Sequence, residues 1–175
     1  VPGIFINDTP IGGCLELFDL NEKGDLDIIA IDYQQGVACI QVFFIRDGLN
    51  LGNKSFFPKN ARYQSISELL SAFIAQFYIM SANTDRFIPS IILVSHPFED
   101  RETIETILHD QYGHKVEIKD KVRGDRAHWL KMAQTNAQTA LMSRLSNRAS
   151  VLKRFEELQE VLKMDTLPER LECFD

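Results

Sequence analysis

Arg123-Gly124-Asp125-Arg126 is the stretch best equipped for binding chemistry. Two guanidinium groups flank a glycine just before an expected helix start. Free backbone N–H groups at a helix start favour anions, so a phosphate can be held there from both sides. Lys131, Arg144 and Arg148 carry the basic character along the same helix, and Arg144 and Arg148, four apart, share a face. The same arginines can equally pair with Asp120, Asp125 or acids of a sheet, and the residues alone leave both readings open. The charge distribution poses the same choice. The chain carries −6 overall, yet Lys119 to Arg154 holds nine Lys or Arg against two acids, a net +7 that leaves −13 on the remainder. Such a pole either meets phosphate or is neutralised by the acidic rest of the chain.

Other chemistry is sparse. His109 and His114 are five apart, off the spacing that puts two ligands on one helix face, and His96 and His128 stand alone. They read as surface or hydrogen-bonded histidines. There is no GxSxG, no Gly-rich phosphate loop and no zinc spacing. Cys14, Cys39 and Cys173 are odd in number and far apart, which suggests neither a disulfide framework nor a metal site, so buried thiols are expected.

The elements that must position these groups begin with Asp25 to Phe57. Ile28–Tyr33 is rich in β-branched residues, Gln34-Gln35-Gly36 can turn the chain, and Val37–Arg46 returns as a second strand. Asp47-Gly48 is a strong hairpin signal because tight primed turns need positive φ, and Ser55–Phe57 closes a three-stranded meander. Cys14–Leu20 alternates weakly and could add an edge strand. Ser65-x-x-Glu68 has the form of a capping box, and Leu69, Leu70, Phe73, Ile74, Phe77 and Tyr78 follow at helical spacing. After a loop at Ser81–Arg86, Ile88–Val94 reads as a strand covered on both faces. Glu99–Gln111 reads as a helix stopped by Gly113, and Lys115–Ile118 as a short strand. Asp125 is expected to cap a helix running to about Leu145, with Trp129, Leu130, Ala133, Ala137, Leu141 and Leu145 inward. A second helix, Ser150–Lys163, presents Leu152, Phe155, Leu158 and Leu162. Arg170–Asp175 resembles the start of a strand, so the chain reads as a fragment of a longer one.

Composition bounds the class. At 175 residues, 45% hydrophobic and 25% charged, the chain has the make-up of one ordinary globular domain. No apolar run reaches the roughly 18 to 20 residues that span a bilayer, and the first residues lack a signal peptide's basic flank, so a cytoplasmic location is expected.

A meander followed by helix, strand, helix, strand and C-terminal helices is an α/β order that resembles the ribonuclease H-like fold. Nucleases of that fold hold two metals with acids on the first strand, on the first helix and at the end of the fourth strand, and the metals stabilise the attacking and leaving oxygens. The matching places here offer Asp32 and Glu68, but Val94-Ser95-His96 where a third carboxylate is needed. The set is incomplete, and imidazole is a poor magnesium ligand. Asp32 reads more simply as a surface acid beside a turn.

Gly24-Asp25-Leu26-Asp27-Ile28-Ile29, Gly36-Val37-Ala38-Cys39, Val42-Phe43-Phe44-Ile45-Arg46, Leu51-Gly52-Asn53, Phe57-Pro58 and Gln76-Phe77-Tyr78 together resemble the middle of the UvrC family. These proteins are the nuclease subunits of bacterial nucleotide excision repair. Arg123-Gly124-Asp125-Arg126, Lys131-Met132-Ala133, Asn136-Ala137 and Leu171-Glu172-Cys173-Phe174-Asp175 continue the match in order. The resemblance implies a repair protein that joins a UvrB–DNA complex and cuts the damaged strand on both sides of a lesion. Its 3′ cut belongs to a GIY-YIG domain and its 5′ cut to a ribonuclease H-like domain, and neither is complete here. It further implies that residues 1–23 are an extension of unassigned origin. Residues 24–163 become a degenerate ribonuclease H-like central module, and 164–175 a linker with the first strand of the 5′ endonuclease domain. Asp175 then carries, by position, that nuclease's first metal-binding catalytic acid, with magnesium or manganese expected for the whole protein and no cofactor in this segment. On this reading Arg123, Arg126, Lys131, Arg144 and Arg148 are the DNA-contact candidates, and the partners are UvrB and damaged DNA, with no membrane and no small-molecule substrate.

Overall fold

The structure is a computed structural model that describes residues 24–59, 61–80 and 87–168. Strand β1 (Leu26–Gln34) and strand β2 (Val37–Arg46) pair antiparallel from Leu26 opposite Ile45 to Gln34 opposite Val37. The turn between them places Gln35 at φ 51° and Gly36 at φ 77°, the double positive φ of a primed hairpin. Asp47 (48°) and Gly48 (75°) repeat that geometry before strand β3 (Leu49–Phe56). Helix α1 (Ile66–Ile74) follows. Its capping box is complete: Glu68 N donates to Ser65 Oγ (3.2 Å) while Ser65 N donates to the Glu68 carboxylate (2.7 Å). The last part of this helix, Ala75–Ile79, loosens into a π turn.

Strand β4 (Ile91–Val94), helix α2 (Arg101–Tyr112), strand β5 (Glu117–Lys119) and helix α3 (Asp125–Leu162) complete the fold. The sheet order is β3-β2-β1-β4-β5, antiparallel within the meander and parallel from β1 through β4 to β5. Pleat alternation sends β1 side chains to two different layers. Ile29 and Ile31, with Ile40, Val42, Ile92 and Val94, face α1 and α2 through Leu70, Ile74, Ile104 and Leu108. Leu26, Ile28 and Ala30, with Phe43, Ile45 and Leu93, face α3 through Trp129, Leu130 and Ala133. A strand sandwiched in this way needs the nearly unbroken apolar run that Leu26–Ile31 supplies.

Several boundaries differ from the sequence reading. β3 is longer than Ser55–Phe57 because an edge strand alternates polar and exposed residues, Leu49 and Leu51 among them, and leaves little periodic signal. β4 begins at Ile91 instead of Ile88. Pro89 has no N–H to give a ladder, and the Ser90 carbonyl takes Glu117 N (2.9 Å). The C-terminal helices are one helix of 38 residues, and Gly124, at φ 62°, occupies the N-cap position in place of Asp125. Its length explains its exposure. At 1.5 Å per residue it runs about 57 Å, whereas strands of nine or ten residues span about 33 Å. No residue after Leu141 is buried among those described, and Leu152 (48% exposed) and Leu162 (59%), read from sequence as inward, lie beyond the sheet. The expected edge strand at Cys14–Leu20, the Ser81–Arg86 loop and the strand start at Arg170–Asp175 fall outside the described residues.

Candidate functional site

The sequence candidates sit on three parts of the fold. Asp32 lies on β1 opposite Cys39 and accepts a hydrogen bond from Gln34 Nε2 (2.9 Å). By alternation from Ile28 and Ala30 its side chain faces the α3 layer. Cys39 packs there against Ala140 and Leu141. Burial, and then the charge of Asp32, push the Cys39 thiol up to about 12, against the opposing pull of Arg144. Glu68 stands on the other side of the sheet, exposed at the start of α1, where Ser65 N and Oγ hold its carboxylate below its ordinary range. Asp32 and Glu68 therefore cannot close on one metal pair.

The third position is filled by a different chemistry. Ser95 N donates to Ile29 O (3.0 Å), and Ser95 Oγ accepts from Ile31 N (3.1 Å), so its hydroxyl extends the β1–β4 ladder by one bond. That oxygen also lies 3.0 Å from Nδ1 of His96. His109, His114 and His128 are exposed and separate. Among the described residues no group of three or more His, Cys, Asp or Glu is placed to hold a metal ion. The described donor set does not fit the metal pair of this fold's nucleases, and Asp175 lies outside the described residues.

The acid that the sequence reading passed over is Asp27. It is 1% exposed on β1 and receives Arg46 Nη1 at 2.7 Å and Tyr78 Oη at 2.6 Å. Arg46 comes from β2 and also donates to the carbonyls of Ile45 (2.7 Å) and Leu26 (3.3 Å). Tyr78 reaches the carboxylate from the π turn at the end of α1. A lone acid inside an apolar strand was the available signal, since a buried carboxylate requires a paired charge.

The basic candidates divide in two. Arg123 is exposed on the loop before α3, and Arg126 is half-buried in its first turn. Asp120 is paired instead with Arg101 at 3.6 Å. Lys131 is exposed one turn further on. Arg144 and Arg148 belong to the opposite end of the sheet contact. With Val37, Leu145 and Val151 they line a cleft of about 390 Å³, and the Arg144 guanidinium lies 4.4 Å from the centre of the Phe57 ring. Arg126 and Arg144 are five helical turns apart and so share a face at a separation of about 27 Å. Arg148 lies near that face, while Lys131 is rotated about 140° from it.

A meander joined to two parallel crossovers, with the first strand at the centre of the sheet, defines an α/β domain of the ribonuclease H-like class. A family model described as "UvrC Ribonuclease H-like domain" matches residues 25–144. The chain belongs to the UvrC family. It is 44% identical over 159 residues to UvrABC system protein C of Histophilus somni (strain 2336), covering 90% of this chain and 26% of that protein. It is 40% identical over 155 residues to the protein of that name from Shewanella frigidimarina (strain NCIMB 400), covering 89% and 25%. The chain thus spans about a quarter of the length of these relatives. Among solved structures, one described as the PCNA:RNase HII complex from Archaeoglobus fulgidus aligns with a TM-score of 0.40 at 10% identity, over 86% of this chain and 98% of that one. No helix among the described residues is long and apolar enough to cross a membrane.

Proposed function

We propose that residues 24–163 form a non-catalytic ribonuclease H-like module of an excision nuclease in nucleotide excision DNA repair. The module positions the nuclease that makes the 5′ cut and touches DNA phosphate along α3. The observation that carries this reading is the placement of Asp32 and Glu68 on opposite faces of the sheet, with Ser95 in the third position. Asp27, the one buried acid among the described residues, is neutralised by Arg46. Exposed Arg123 on the loop before α3 and exposed Lys131 in its second turn support phosphate contact there, whereas the side of α3 between Arg126 and Arg144 carries Ala133 and Ala137 buried against the sheet. In the same proposal the whole protein is cytoplasmic and works with UvrB on damaged DNA. Magnesium or manganese belongs to the nuclease whose first acid is Asp175.

An incision assay of this chain on damaged duplex with added magnesium or manganese is expected to give no cutting. Robust cutting abolished by Asp32→Asn would overturn the reading. Duplex affinity should fall steeply with salt and drop in Arg123→Ala/Arg126→Ala. A second reading, docking of UvrB or another part of the protein, is favoured by the outer part of α3, where Val151, Leu152, Val161 and Leu162 are about half or more exposed. Tight UvrB binding without DNA affinity would select it.

A further inference from the structure

Phe57-Pro58 and Gln76-Phe77-Tyr78, two of the phrases that resemble the family, converge on a cleft that none of the candidates above uses. It is an opening of about 550 Å³ between the end of β3 and α1, within the roughly 300–1,000 Å³ range of small-ligand sites. Its floor is aromatic. The Phe73 and Phe77 rings lie nearly parallel with centroids 5.2 Å apart, and Phe56 is tilted against Phe73 at 5.1 Å. Phe77 is buried, whereas Phe56, Phe57 and Phe73 are only half-buried at the opening.

Two lysines border this floor. Lys54 Nζ stands 5.1 Å from the centre of the Phe56 ring, and Lys59 is part of the lining. Gln64, also in the lining, carries an exposed amide that both donates and accepts. The acid at the start of α1, Glu68, is turned to Ser65. The wall at Ala75–Ile79 is the π turn, a helix irregularity found often at functional sites. Aromatic faces bordered by basic side chains are the pattern that holds single strands, bases stacking on rings while cations follow the phosphates.

We propose that this cleft binds an unstacked base of single-stranded DNA, stacked on Phe56 and Phe73, with Lys54 and Lys59 on the flanking phosphates. The proposal rests on the preceding reading only in taking DNA as the partner. Its residues are not those of Arg123 and Arg126, so the two can fail separately.

The test compares fluorescence anisotropy of this chain with a labelled 12-nucleotide oligothymidine and with an abasic strand carrying the same phosphates. The thymidine strand should bind on the order of ten-fold more tightly, as expected of base–aromatic stacking. Phe73→Leu should erase that preference. Lys54→Ala/Lys59→Ala should weaken both strands and lower the salt slope by about 0.7 for each phosphate no longer neutralised. A 5-iodouracil strand cross-linked to the unaltered chain needs no variant to fold, and its adducts should map to Phe56 or Phe73. Equal binding of the two strands, a preference that survives Phe73→Leu, or adducts confined to other elements would overturn the proposal. So would filling of the cleft by N-acetyltryptophanamide with no response there to the oligonucleotide, which would assign the cleft to an aromatic anchor of a protein partner. Loss of base preference with Arg123/Arg126-dependent duplex binding intact sinks only the cleft. Base preference without that dependence sinks only the contact along α3.

Discussion

Removing the Asp27 carboxylate will cost more stability than any surface charge on this chain. Asp27→Ala deletes the acceptor of two charge-assisted hydrogen bonds, from Arg46 Nη1 and Tyr78 Oη, in a place only 1% exposed. Breaking a fully buried ion pair by removing one partner costs about 3–5 kcal/mol, much of it the penalty on the stranded charge. Arg46 is 20% exposed and keeps its bonds to the carbonyls of Leu26 and Ile45, so the lower end applies, about 3 kcal/mol. For a chain of this size that is a fall in Tm of about 6–12 °C. Tyr78→Phe removes one bond to a charged acceptor and should cost about 2 kcal/mol. Urea denaturation of the two single variants and the double variant measures both losses and their coupling, and the double should cost clearly less than the sum of the singles. A carboxylate kept ready for a cation behaves in the opposite way, because its removal relieves an unpaired buried charge and leaves stability unchanged or higher. A loss below about 1 kcal/mol, or additivity within about 0.5 kcal/mol, would refute the claim that Asp27 is a structural pin.

Ser65→Ala should lower stability by about 1 kcal/mol by taking away the cap of α1, read in the same urea titration. Because the folded state holds the Glu68 carboxyl below its ordinary 4.5, the bonds that its ionised form accepts from Ser65 stabilise the fold above this value and are lost as pH falls below it. Glu68→Gln, which removes the titrating carboxyl, should therefore flatten the acid limb of the stability profile, whereas Ser65→Ala keeps the backbone N–H that holds Glu68. The Cys39 thiol, fully buried and pushed up to about 12, should resist a disulfide reagent at about pH 8 in the native protein and react once it is unfolded.

The meander, the capping box and the two-faced central strands were legible because each rests on a local rule. Asp47-Gly48 demands a primed turn, Ser65-x-x-Glu68 caps itself, and Ile91–Val94 has no polar face to show to water. What stayed hidden depends on chain segments far apart in sequence. Arg46 and Tyr78 lie 19 and 51 residues from Asp27, and nothing in their spacing announces a shared carboxylate. The same holds for the aromatic cleft, whose walls come from β3 and α1. Asn147–Ala149 reads as a break between helices because no large apolar residue falls there, yet a solvated helix needs none to continue.

The contacts around Asp27 and Ser95 have a mechanical consequence. A metal-binding carboxylate must stay accessible and electrostatically unsatisfied, which destabilises the sheet around it. Here the guanidinium of β2 and the hydroxyl of the π turn close around the acid of β1, and Ser95 spends its hydroxyl on a β1 amide. Each of these bonds joins the central strand to a different neighbour: β2, the end of α1, or the residue just after β4. The central strand is thereby tied to three neighbours at once, which holds the middle of the sheet rigid.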